Sequence, residues 1–306
     1  MRTSVRLFVV LLLALTGTGA ALAAPIHAAV KADNLAKVTA LLDKDPSLIN
    51  LKTTKDGETP LHIAVGEGLA TMTAFLLSRQ ADPNAASNDG TTPLLLAVGN
   101  EDIDLVKLLL AKGADVKRRD NDGAAALEIA AAVGSLDLVN LLLAKGADPR
   151  GKDKTGMTAL HYAAGDVGPD EEEEAAPATG TAAAGAASPA SAEEEGEDED
   201  EVPRVEIYKA LIAKGAEVNA QDEDGVTPLH AAAAAGEQEA VVYLLAKGAD
   251  PNLKDKEGKT PYDWATEAEE PEIAKLLKAK MKFDTLHGGP GSAAPARPAR
   301  RPATSR

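Results

Sequence analysis

The sequence predicts an all-α protein built from a repeated helical pair, and three observations carry that expectation. Asp56-Gly57, Asp89-Gly90 and Asp122-Gly123 stand 33 residues apart, Gly156 continues the series after Thr155, and Asp224-Gly225 and Glu257-Gly258 are again 33 apart. A second glycine series, Gly113, Gly146, Gly215 and Gly248, each inside Lys-Gly-Ala, shows the same period in a fixed phase. The chain is 44% apolar with only eight aromatic residues, so its core must be made of Leu, Ile, Val and Ala. Two independent markers with one period indicate a repeat architecture, in which each unit is one supersecondary element.

Within each period the order is turn, helix, turn, helix. After Asp56-Gly57 comes Thr59-Pro60-Leu61-His62, where proline presets φ for a first helical turn that needs no N–H from it. A short helix then stops near Gly66 to Gly68. The second helix is clearest in Leu105 to Leu110, apolar except at Lys107. It should end at Gly113, because glycine takes the left-handed cap conformation without a Cβ penalty. Gln80 holds that place in the first full unit, where a strain of roughly 1 kcal/mol is expected.

On these residues the chain resembles the ankyrin repeat family, whose unit is 33 residues with a T-P-L-H-x-A start. Thr59-Pro60-Leu61-His62 and Thr227-Pro228-Leu229-His230 match that start, Thr158-Ala159-Leu160-His161 lacks its proline, and Thr92-Pro93-Leu94-Leu95 lacks its histidine. Ala125-Ala126-Leu127-Glu128 keeps only the leucine and is the weakest helix start. The resemblance covers about 227 residues and implies an all-α ankyrin solenoid of five full repeats between two caps. It makes His62, His161 and His230 turn-stabilising residues, and His27 holds the analogous slot in the first cap. The first cap is residues 25 to 55, and the last opens on Thr260-Pro261-Tyr262-Asp263-Trp264.

Three segments stand outside the repeats, which occupy 24 to 286. Residues 1 to 23 read as a signal peptide: Arg2 and Arg6, an apolar run from Leu7 to Leu15, and Ala21-Leu22-Ala23 as cleavage site. The run is too short for the roughly 20 residues that cross a bilayer. With no Asn-x-Ser/Thr triplet, the expected destination is the bacterial periplasm, with an extracellular one as alternative. Residues 166 to 201 carry 14 acidic side chains and no basic one, inserted between the two helices of the fourth full repeat. They are expected to be disordered, serving as a solvated spacer, as a trap for a basic partner or for cations, or as a flexible loop that docks on the protein's own basic hairpins. A 36-residue flexible segment has an r.m.s. reach of about 30 to 36 Å. Residues 287 to 306, rich in Gly, Pro, Ala, Ser and Arg, cannot bury a core.

Catalytic and metal chemistry find no support in the sequence. Without cysteine there is no disulfide, thiolate metal site or cysteine nucleophile. The histidines recur once per repeat, and helices packed about 8–10 Å apart cannot converge them on one zinc. Calcium-loop spacing fails at Arg118 and Ile129 around Gly123, and at Ala220 and Ala231 around Gly225. No enzyme activity and no cofactor is therefore expected. A net charge of −16, most of it in 166 to 201, argues against a nucleic-acid partner.

The expected function is noncatalytic protein binding by a monomer, through the hairpin loops and the first-helix face. An inhibitor or immunity protein that neutralises one enzyme is the alternative. Lys117, Arg118 and Arg119 in one hairpin and Arg150, Lys152 and Lys154 in the next would form a basic patch on adjacent hairpins. Tyr162 follows His161 at the slot held elsewhere by Ile63, Leu96, Ile129 and Ala231, and is the aromatic candidate for partner contact. Phe75, Tyr208 and Tyr243 read as core, and Trp264 as cap packing.

Overall fold

A computed structural model describes residues 25–165 and 204–287 of the chain, with side chains as far as Met281. The signal-peptide reading, the 166–201 segment and the tail from 288 onward lie outside the described residues. The chain forms two compact units that divide after Glu217.

The first unit begins with a helix over 25–31 (α1), then α2 Leu35–Lys44 and a 3₁₀ turn Pro46–Asn50. Helical pairs follow: α3 Pro60–Gly66 with α4 Ala70–Ser78, α5 Pro93–Gly99 with α6 Ile103–Ala111, and α7 Ala126–Val133 with α8 Leu136–Ala144. The last pair is α9 Ala159–Tyr162 with α10 Val205–Ala213. First helices stack on first helices, α3 on α5, α5 on α7 and α7 on α9, while α4 meets α6 and α8 meets α10. The second unit holds α11 Pro228–Ala234 with α12 Gln238–Ala246 and α13 Pro261–Glu267 with α14 Pro271–His287. There α11 packs on α13, and α12 on α14.

The 33-residue period determines which side chains are buried. Leu61, Leu94, Leu127, Leu160 and Leu229 fill one equivalent slot on the first helices, and all are buried. Leu76, Leu109, Leu142, Leu211 and Leu244 do the same on the second helices. Each is worth about 1.5–3 kcal/mol of transfer free energy. A seven-residue helix is far below the length at which an isolated helix persists in water, so this burial against the neighbouring pairs is what keeps the first helices folded. Of the aromatics, Tyr208 is in the core, whereas Phe75 and Tyr243 are half-buried, with Arg79 and Lys247 over their rings at 5.5 Å and 5.3 Å. Core placement of Phe75 and Tyr243 is thereby corrected: each lies one residue short of a buried leucine, on the flank of its helix where a cation can cover it.

The helix starts follow their sequences residue by residue. Thr59, Thr92 and Thr227 are extended at the N-cap, and each hydroxyl accepts from the N–H three residues on. A proline holds the first helical position after each. Ala125 makes no side-chain cap. At the other ends of the pairs, Gly113, Gly146, Gly215 and Gly248 adopt left-handed φ between 88° and 97°, and Gln80 is forced to +67° in the same place.

Hairpins join the pairs, and within each unit successive hairpins are stitched together by main chain. Asn88 N–H donates to Asp56 O at 2.9 Å, Asn121 N–H to Asp89 O at 2.8 Å, and Lys154 N–H to Asp122 O at 3.0 Å. In the second unit Lys256 N–H donates to Asp224 O at 2.7 Å. The tip glycines permit this approach. A Cβ at Gly90 would lie 2.6 Å from Asn121 N, and one at Gly123 2.8 Å from Lys154 N, both at positive φ.

Replacing Gln80 by glycine should relieve the left-handed strain and stabilise the protein by about 0.5–1 kcal/mol. An upward shift of the urea midpoint at unchanged m-value is the expected result. An unchanged or lowered midpoint would show that the Gln80 conformation is unstrained.

Candidate protein-binding surface

The histidines are braces between a helix start and the following hairpin. Thr59 N–H donates to His62 Nδ1 at 3.2 Å, and the Thr59 hydroxyl lies 2.8 Å from the same atom. With Nδ1 accepting, the ring proton sits on Nε2, which donates to Thr91 O at 3.0 Å. His230 repeats the arrangement, with Thr227 N–H at 3.1 Å and Lys259 O at 3.3 Å. His161 Nδ1 accepts from Thr158 N–H at 3.0 Å, and His27 Nε2 is 2.9 Å from Leu51 O. Burial pushes the pKa of His62 and His230 below that of free histidine, which keeps the neutral tautomer that this geometry requires. Among the described residues no group of three His, Cys, Asp or Glu side chains has the geometry to hold a metal ion.

Other side chains occupy the same slot where histidine is missing. Asp263 accepts from Thr260 N–H at 2.8 Å and closes the last first helix. Glu128 is buried and takes Arg119 as its partner, Oε1 to Nη1 at 3.2 Å, while its Oε2 has no hydrogen-bond partner. Arg119 also donates to Gly123 O, and a Cβ at Gly151 would collide with its guanidinium. Burial raises the Glu128 pKa, opposed by the Arg119 charge.

The six basic residues of the two hairpins therefore do not form one free patch. Arg119 turns inward to Glu128, Arg118 donates from Nη2 to Asn84 O at 3.3 Å, and Arg150 donates from Nε to Gly215 O at 2.7 Å. Lys152 has a partner too. Lys117 and Lys154 are exposed and make no ion pair among the described residues, on hairpins that the Lys154–Asp122 main-chain bond holds side by side. The acidic side chains of these turns face their own backbone: Asp120 Oδ1 accepts from Asp122 and Ala124 N–H, and Asp153 Oδ1 from Thr155 and Met157 N–H.

Tyr162 is half-buried, and its hydroxyl donates to Asp153 Oδ2 at 2.6 Å, which together with burial pushes the phenol well above its ordinary pKa. Trp264 stands at the same register and makes the same contact, Nε1 to Asp255 Oδ2 at 2.7 Å, with His230 edge-on to it at 5.6 Å. An aromatic donor at this slot thus locks its own hairpin, a pairing legible in the sequence as Asp-x₈-Tyr and Asp-x₈-Trp. Arg204 was not singled out by sequence reasoning. The chain leaves the described region after Gly165, returns at Arg204, and the Arg204 guanidinium donates to Ala163 O at 3.2 Å and Ala132 O at 3.5 Å. It thereby ties the start of α10 to carbonyls at the ends of two first helices, α7 and α9.

Glu128 makes a pH prediction. Its folded pKa is raised, so its contribution to stability is fully present below the ordinary glutamate range and is lost as pH rises through the folded value. Glu128→Gln keeps a hydrogen-bond acceptor for Arg119 without a buried charge. Its stability relative to the parent should climb as pH rises from 4 to 7, read by urea denaturation at each pH. A variant that instead loses ground toward pH 7 would mean that the Arg119 attraction outweighs burial.

Comparison with known proteins agrees with this architecture. The family described as ankyrin repeats (3 copies) matches residues 7–87, 71–153 and 202–285. Curated proteins give no match. Among solved structures, the chain is similar to the crystal structure of the ankyrin repeat domain of Bcl-3, described as a unique member of the IkappaB protein family. That likeness is 26% in sequence, with a TM-score of 0.60, and covers 83% of this chain and 97% of the other. Matches extend to 592 solved chains, so the likeness fixes the fold without selecting a partner. Paired helices of constant register, hairpins stitched tip to tip and a family match over most of the sequence place this chain in the ankyrin repeat family.

Proposed function

We propose that this chain is an exported, noncatalytic binding protein that holds a protein partner on its hairpins and first helices. Ankyrin repeats mediate protein–protein interaction, and one observation supports the hairpins as the contact surface here. Their tips are exposed, yet the backbones beneath are locked by the Asn121–Asp89 and Lys154–Asp122 bonds. A partner then meets side chains on a backbone already fixed, and binding carries little cost of loop ordering. Lys117 and Lys154 give this surface its positive charge and favour an acidic partner face. Charges at an exposed rim act mainly on association rate and on salt dependence. The proposal places the protein in the periplasm, on the strength of the Arg2 to Ala23 pattern.

A second reading, a dedicated inhibitor of one enzyme, draws on the 14 carboxylates of residues 166 to 201. Such a segment could occupy a basic substrate site of its target. No helix of the described residues is long and apolar enough to cross a membrane.

The two readings separate in affinity capture from periplasmic extract, using residues 24 to 306, the same chain lacking 166 to 201, and a Lys117→Glu/Lys154→Glu variant. Loss of a stoichiometric partner with the charge-reversed variant, but not with the deletion, is the expected outcome, and capture should weaken as salt rises. Loss with the deletion alone would favour the inhibitor. Retention by both would remove hairpin charge from the account.

A further inference from the structure

One flank of the hairpin stack is held together by side-chain carboxamides. Asn84 donates from Nδ2 to Gly113 O at 2.9 Å and accepts at Oδ1 from Asp115 N–H at 2.7 Å. Asn219 makes the same pair in the second unit, to Gly248 O at 3.0 Å and from Asp250 N–H at 2.9 Å. In each case one planar group answers a glycine carbonyl and the amide two residues on, joining consecutive repeats.

The period places Lys117 and Arg150 in that slot. Arg150 preserves half of the bridge, its Nε donating to Gly215 O. Lys117 preserves neither half, because an ammonium has no acceptor and its side chain is exposed. Gly146 O and Asp148 N–H, the counterparts of Gly113 O and Asp115 N–H, have no hydrogen-bond partner among the described residues. They border a cleft of about 410 Å³ whose lining includes Lys117, Glu128, Asp148, Leu127 and Pro149. Glu128, with its unpartnered Oε2, brings a buried acceptor to the same lining.

We propose that this cleft binds a primary carboxamide, presented as a Gln or Asn side chain by a protein partner. Asn84 and Asn219 show which group fits an unbridged Gly-x-Asp corner of this backbone. A carboxylate could accept from Asp148 N–H but could not donate to Gly146 O, and an ammonium could only donate. A carboxamide does both from two atoms held in one plane. Pro149 offers apolar surface to the aliphatic stem, and the cleft is larger than the carboxamide alone, which suits a side chain delivered by a longer segment. The site lies between the two hairpins assigned above to partner contact and so rests on the protein-binding reading, to which it adds the chemistry recognised.

The test uses acetyl-Ala-Gln-Ala N-methylamide, whose one primary carboxamide is the glutamine side chain, titrated into the full ¹⁵N-labelled chain. A saturable downfield shift of the Asp148 amide resonance is expected, with the Glu and Met versions of the peptide bound at least about tenfold more weakly, the equivalent of one hydrogen bond. Lys117→Asn should close the site from within, abolishing the titration and raising Tm. Lys117→Ala, which leaves the corner unbridged, should keep a saturable titration selective for Gln, and so separates closure of the corner by Asn from mere loss of the lysine. An equal response to the Gln and Glu peptides, an undiminished response in Lys117→Asn, a response confined to other amides, or no shift at the solubility limit of the peptide would each overturn the proposal. Its failure is distinguishable from failure of the protein-binding reading: a lost titration with partner capture intact sinks the carboxamide site alone, and lost capture with the titration intact sinks the other.

Discussion

Every element of this protein depends on an interface with the next repeat, because no helical pair could survive alone. The first helices are seven residues or fewer, apart from the eight of α7, and such lengths are not stable in water without packing. What holds them is apolar burial against the neighbouring pair, with a leucine in the same slot of α3, α5, α7, α9 and α11, supported at the hairpins by main-chain bonds such as Asn88 N–H to Asp56 O. Stability is then a sum of local terms and nearest-neighbour terms. A defect at one junction is consequently felt there, and the rest of its unit can remain folded.

That locality explains how the chain tolerates departures from its own pattern. Where a histidine links Thr59 to Thr91 O, the third full repeat uses a buried glutamate and an arginine from the hairpin. The substitute is less complete, because one carboxylate oxygen goes unpaired and the N-cap alanine gives nothing. The next junction departs differently, since the first helix of that repeat stops at Tyr162 and Arg204 ties its end to the point where the chain returns. Two successive repeats therefore carry the irregular chemistry, and they also carry Lys117, Arg119, Glu128 and Tyr162. Arg119 and Tyr162 are bonded internally, whereas Lys117 and one carboxylate oxygen of Glu128 are not.

The fold was legible because period and glycine placement are backbone requirements. A tip glycine at positive φ with the next hairpin 2.6–2.8 Å from its missing Cβ can hardly be replaced, so the Asp-Gly series recurs and reveals the repeat. The Thr-Pro starts are legible for the same reason, since they satisfy specific N–H groups. The surface was less so. Sequence placed six cations on adjacent hairpins, but it could not show that Arg118, Arg119 and Arg150 would reach carbonyls and a carboxylate at other points of the fold. Long side chains choose partners by three-dimensional distance, and a repeat register gives only the position of their Cα atoms. Tyr162 shows the same limit: its slot was identified, but the Asp-x₈-aromatic spacing it shares with Trp264 reads as a hydrogen bond only once the turn geometry is known.

The register becomes informative again once the internal contacts of one repeat are known in detail. Asn84 and Asn219 define what the corner after a second helix requires, namely an acceptor for one amide and a donor for one carbonyl. Each departure at that slot can then be read as a specific unmet requirement. Lysine leaves both groups unanswered and arginine leaves one. In a repeat protein the other repeats thus act as an internal control, because they show the same backbone with its hydrogen bonds complete. A position where the chain gives up a bond that its sister repeats make is a position where solvent or another molecule must supply it, since exposed donors and acceptors do not stay unsolvated. The difference between those two occupants is selectivity. Water answers either group without preference for what lies beyond, whereas a partner side chain must match the donor, the acceptor and the cleft together.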